Sequence, residues 1–131
     1  MNSNTFARKS YLNNTWLTVD SESFLSHRKD KKSIIIDIDL LRATANEADE
    51  LKEYMESLSS VKNKLIVFNL DKCTFVDSTF LSTIIRFSKK NIKLNTNVRL
   101  VISDVRQLSI FKITKIDTIF EIYSTVEQAM A

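Results

Sequence analysis

The chain has 131 residues and contains neither glycine nor proline, so it cannot form the glycine-rich phosphate loops of dinucleotide or Walker type, which need backbone that approaches phosphate without an intervening Cβ. Nineteen basic residues face 16 acidic ones, and a net charge of +3 is too small an excess to argue for nucleic acid. The hydrophobic share of 44% with 27% charged residues suits one soluble domain with one core. No apolar run approaches the roughly 20 residues of a membrane span, and the polar start from Met1 to Val19 lacks the apolar centre of a signal peptide. A single cysteine, Cys73, excludes an internal disulfide and suits a reducing compartment. The expectation is a cytoplasmic protein with no membrane partner and no direct nucleic-acid partner.

In chain order, Met1–Asn14 carries no period and is expected to be a flexible arm, with the domain spanning Thr15–Ala131. Thr15–Val19 alternates and predicts an edge strand in which Trp16 packs. Phe24–Lys32 is a polar connection that can belong to a hairpin. Ser33–Leu40 is β-branched and mostly apolar, which predicts an inner strand. Ala48, Leu51, Met55 and Leu58 recur at helical spacing with acids on the other face, and Thr44 or Asn46 is placed to cap that helix. Lys64–Leu70 reads as a strand buried on both faces. Phe80, Leu81, Ile84 and Ile85 share one face of a second helix that runs to about Lys90.

A strand over Val98–Ser103, a short helix over Val105–Lys112, a brief strand over Phe120–Tyr123 and a last helix over Thr125–Met130 complete the pattern. Alternating strands and helices predict an α/β domain with a mixed, mostly parallel sheet of about five strands and about four helices. Without glycine, turns at positive φ fall to Asn or Asp, and Asn63, Asn91, Asn95 and Asn97 are placed for them. Sites in open α/β sheets gather at the carboxyl ends of strands, which singles out the segments after Leu40, Leu70 and Ser103.

The middle segment runs Leu70-Asp71-Lys72-Cys73-Thr74-Phe75-Val76-Asp77-Ser78-Thr79-Phe80-Leu81. An apolar strand, a short polar link, then aromatic-aliphatic-Asp-Ser-Thr opening an amphipathic helix resembles the STAS family, whose best-known members are bacterial anti-sigma factor antagonists. The stretch Ile116-Asp117-Thr118-Ile119-Phe120-Glu121-Ile122-Tyr123, leading into the last helix, is similar to the closing pattern of that family. The resemblance is good from Lys64 onward, weaker over Ser33–Leu58 and absent before Asn14. It implies a STAS-like fold and a partner protein kinase, an anti-sigma factor of the histidine-kinase-like ATPase type, that phosphorylates the serine after the Asp. Here that serine is Ser78. The unphosphorylated form would bind the kinase and the phosphorylated form would release it. ATP and magnesium would sit in the kinase, so no cofactor is expected in this chain.

For the triplet alone, a helix cap is the favoured reading; the second stretch turns the reading to phosphorylation at Ser78, with Thr79 a weaker candidate. Around Ser78, the implied partner surface comprises Asp77, Thr79, Phe80, Arg42 and Thr44. Two positions depart from the family pattern. Phe80 stands where the family usually has glycine, and it either packs inward or meets the partner's backbone. Arg42 replaces an acid, and it either reaches a phosphate on Ser78 or faces water.

Other reactive residues carry less. Cys73 is expected to be small and partly buried, and His27 has no companions at metal-ligand spacing. Tyr54 and Tyr123 read as core or rim aromatics. No general base accompanies a nucleophile, so no enzyme activity is expected. The alternative function is a non-phosphorylated STAS structural subunit of a stress-sensing complex or a transporter assembly.

Overall fold

The structure, a computed structural model, describes residues 23–131 and the two short strands Ser10–Tyr11 (β1) and Trp16–Leu17 (β2). These two pair antiparallel as a separate ribbon. The remaining residues of the expected arm and of the expected edge strand over Thr15–Val19 lie outside the described residues.

Five strands form the main sheet: β3 (Leu25–Lys29), β4 (Ser33–Ile38), β6 (Leu65–Asn69), β8 (Asn97–Val101) and β9 (Glu121–Tyr123), in the spatial order β3-β4-β6-β8-β9. A second small pair, β5 (Arg42–Ala43) and β7 (Phe75–Val76), lies outside that sheet. Among the described residues, four α-helices follow: α1 (Ala45–Glu56), α2 (Ser78–Lys90), α3 (Val105–Ile113) and α4 (Val126–Met130). The sheet is mixed and mostly parallel: β4, β6, β8 and β9 are parallel, and β3 joins β4 antiparallel in a hairpin.

The edge position expected for Thr15–Val19 is thus held by Leu25–Lys29, within the segment read as a polar connection. Only Leu25 of β3 is buried, so the strand offers almost no apolar alternation to read. By contrast, β4 and β6 are covered on both faces. Ile36, Ile38, Phe68 and Leu70 join the main core, whereas Val67 and Val101 pack with Ala129 of α4 on the other side.

Helices α1, α2 and α3 cover the first face through Leu51, Met55, Leu81, Ile84 and Phe111. No helix among the described residues is long and apolar enough to cross a membrane. Two asparagines take the left-handed turns expected of them, Asn63 and Asn95, each at φ 60°. Asn91 instead ends α2 at φ −104° and Asn97 begins β8, while Lys115 supplies the third left-handed turn at φ 64°.

Candidate functional site

Two connections at the carboxyl ends of β4 and β6 run side by side before entering α1 and α2. The pair β5–β7 zips them in parallel, with Arg42 opposite Phe75 and Ala43 opposite Val76. The carbonyl of Leu41 accepts from the Thr74 amide at 2.8 Å and from Thr74 Oγ1 at 3.2 Å, and the Asp77 amide donates to the Ala43 carbonyl at 2.9 Å. The Arg42 guanidinium lies 4.4 Å from the Phe75 ring centroid, a cation–π distance. Behind this pair, the buried Gln107 of α3 accepts the Val76 amide through Oε1 at 3.1 Å. Two-residue strands have no period, so sequence reading missed this pair and the anchoring role of Gln107.

The zipper delivers Asp77 to the starts of both helices. As N-cap of α2, its Oδ1 accepts the Phe80 amide at 2.8 Å, while Oδ2 accepts the Ala45 amide at the start of α1 at 2.9 Å. One carboxylate therefore lies between the positive ends of two helix dipoles. Thr44 caps α1 in a capping box: its Oγ1 accepts from the Asn46 amide at 3.2 Å, and Glu47 Oε1 accepts from the Thr44 amide at 2.9 Å. Of the two residues expected to cap α1, Thr44 does so.

Asp77→Ala is expected to cost about 2 kcal/mol, because both helix starts lose an acceptor. Asp77→Asn is expected to cost about half of that, since an amide has one oxygen and must turn its NH2 toward one of the two N–H groups. Urea unfolding of the two variants beside the parent checks the ranking.

Ser78 is the first residue of α2, and both it and Thr79 are exposed. Asp77 also accepts the Leu81 amide through its carbonyl at 3.1 Å, so the amides of Ser78 and Thr79 are those left without an intrahelical acceptor. Phe80 points the other way and is 0% exposed. Of its two possible placements the fold selects inward packing. Arg42 is exposed and lies on Phe75.

Cys73, expected to be partly buried, is fully so. Burial, with the nearby charge of Asp71, pushes its thiol up to about 12. Because the thiolate is the reactive form, native protein at pH 8 is expected to resist alkylation, with full reaction after denaturation; mass spectrometry of the alkylated chain reads this directly. His27 Nδ1 makes a short contact with the Tyr54 hydroxyl, their rings edge-on at 5.6 Å. Among the described residues, no group of three or more His, Cys, Asp or Glu side chains could hold a metal.

The model of the STAS domain family matches residues 43–129. The chain belongs to the STAS domain family. Its fold is similar to that of an anti-sigma factor antagonist from Mycobacterium paratuberculosis, with a TM-score of 0.67 and 16% identity over 81% of this chain and 89% of that one. It is also similar to an anti-sigma factor antagonist (STAS) domain protein from Planctomyces limnophilus, with a TM-score of 0.70 and 15% identity over 81% and 93% of the two chains. A third similar structure is that of an anti-sigma factor antagonist in its unphosphorylated form, with a TM-score of 0.59 and 10% identity over 81% and 92%. At these identities the likeness is one of fold. The matched STAS segment contains Ala43 of β5 together with α1, β7 and α2, and begins one residue after Arg42.

Proposed function

We propose that this STAS domain is an anti-sigma factor antagonist-like binding module that acts in the cytoplasm by docking and not by catalysis. Its partner is a serine kinase and anti-sigma factor of the histidine-kinase-like ATPase type, and phosphorylation of Ser78 switches docking off. The observation that carries this reading is the exposed Ser78 hydroxyl at the mouth of α2, on a junction fixed by Asp77. Thr79, Arg42 and Thr44 flank it, and Asp77 positions it.

The switch follows from charge. Phosphorylation adds about −1.5 to −2 charges. The positive end of α2 and the spare amides of Ser78 and Thr79 tolerate that charge, whereas the Asp77 carboxylate opposes it. The fold therefore has no need to change. A partner surface fitted to a neutral hydroxyl meets instead a hydrated dianion, and desolvating it without new cations costs several kcal/mol. The inward packing of Phe80 leaves Ser78 and Thr79 as the exposed groups at the start of α2, which supports the switch over the structural-subunit alternative.

Incubation with the partner kinase and ATP tests this reading. Phosphate is expected on the tryptic peptide Cys73–Arg86 at Ser78 and is expected to vanish in Ser78→Ala. An unmodified peptide in the presence of a stable complex would sink the switch and leave only the docking.

A further inference from the structure

The parallel strands give the molecule two ends of different charge. At the carboxyl ends of β4 and β6 the acids Asp37, Asp39, Asp71 and Asp77 are mixed with Arg42 and Lys72, and Arg28 and Lys72 pair with Asp37 and Asp39. At the amino ends three turns lie side by side: 30–32 before β4, 61–64 before β6 and 91–96 before β8. Hydrogen bonds stitch them together. The Leu65 amide donates to Lys32 O at 2.9 Å, Lys64 Nζ to Lys31 O at 2.9 Å, the Asn63 amide to Leu94 O at 2.9 Å and the Asn97 amide to Lys64 O at 3.0 Å.

These turns and the adjoining end of α2 gather Lys31, Lys32, Lys62, Lys64, Lys90 and Lys93, all exposed except the half-buried Lys64. Within residues 30–32, 60–64 and 89–97 the one acid is Asp30. Its Oδ1 already accepts from the Lys32 amide at 2.8 Å and from the Ser33 amide and hydroxyl at 2.8 and 3.0 Å. Among the described residues, the ion pairs Arg28–Asp37, Lys72–Asp39 and Arg99–Glu121 use none of these lysines. Two aliphatic side chains stand among them, Ile92 at 70% exposure and Leu94 at 40%.

We propose that this lysine-rich end docks reversibly on an anionic phospholipid surface, with the lysines over the phosphates and Ile92 and Leu94 entering the headgroup layer. Lysine clusters are drawn to such surfaces by diffuse attraction that falls off within a Debye length. The aliphatic pair distinguishes lipid from nucleic acid. Apolar side chains gain from the headgroup and acyl boundary but gain nothing from a phosphodiester backbone, and these turns carry no aromatic residue on which a base could stack. Ser78 lies at the opposite end of the strands, so a docked molecule keeps it free. Neither an apolar span nor the overall charge reveals this patch in the sequence, because the fold assembles it from turns about 30 residues apart.

Flotation with vesicles of phosphatidylcholine, with and without phosphatidylglycerol, tests the proposal. Binding is expected only to the anionic vesicles, with loss at high salt. Each lysine removed is expected to weaken it about fivefold, so Lys31→Gln/Lys62→Gln/Lys93→Gln loses on the order of a hundredfold. Ile92→Ser is expected to lose about tenfold with charge unchanged, and Lys72→Gln/Arg106→Gln at the other end is expected to change nothing. The proposal is overturned by absence of binding, by an equal loss in the Lys72/Arg106 variant, by full binding in Ile92→Ser, or by duplex DNA displacing the vesicles.

Discussion

Phe80→Ala is expected to destabilise the domain by about 3–5 kcal/mol, the range for truncating a fully buried phenylalanine. Phe80 is among the largest side chains with no exposure at all, and it shares the main core with Ala43, Val76, Leu81 and Ile84. It is also the third residue of α2, its amide held by Asp77. The ring therefore pins to the core the first turn on which Ser78 stands. A domain of this size has about 5–15 kcal/mol in total, so the variant is expected to lie near the folding threshold, with its urea midpoint lowered by about 2 M. A loss below about 1 kcal/mol would show that the ring does not carry this packing. Because it faces inward, the aromatic at the family's usual glycine position is part of the interior.

Ser78→Asp is expected to weaken the complex with the partner kinase at least tenfold while leaving the fold intact. Ser78 is exposed, so the new carboxylate is hydrated in the free protein and meets the positive end of α2, which limits any stability change to about 0.5 kcal/mol. In the complex the same charge loses water against a surface fitted to a hydroxyl. An aspartate carries about half to two-thirds of the charge of a phosphate, so its effect is a lower bound for that of the modification. Ser78→Ala removes a small polar group without adding charge and is expected to stay within about threefold of the parent. Equal affinities for the Asp and Ala variants, measured by calorimetry, would contradict a charge-read interface.

The parts of this molecule visible in its sequence are those fixed by local pattern. Ile34–Ile36 and Leu65–Phe68 are apolar runs because strands β4 and β6 are covered on both faces. Ala48, Leu51 and Met55 fall at helical spacing because that face of α1 meets the core. Asp-Ser-Thr marks a helix start since Asp77 caps it locally. What stayed hidden is non-local. Strand β3 holds its place by backbone pairing to β4, with a single buried side chain. The second bond of Asp77, to Ala45, spans 32 residues, and the Gln107 bond to Val76 spans 31. Asn91 and Asn97 are asparagines that a turn did not need, and the turn at Lys115 was set by the end of α3 and not by residue preference.

The proposed switch has a neighbour read the charge on one exposed oxygen, and the most direct measurement compares two forms of the unmutated chain. Titration of the partner kinase with unmodified protein and with protein fully phosphorylated on Ser78 should give dissociation constants that differ by roughly a hundredfold to a thousandfold, with unchanged thermal stability of the free domain. Two equal constants, or a weakening that arises only because the phosphorylated domain has unfolded, would contradict it.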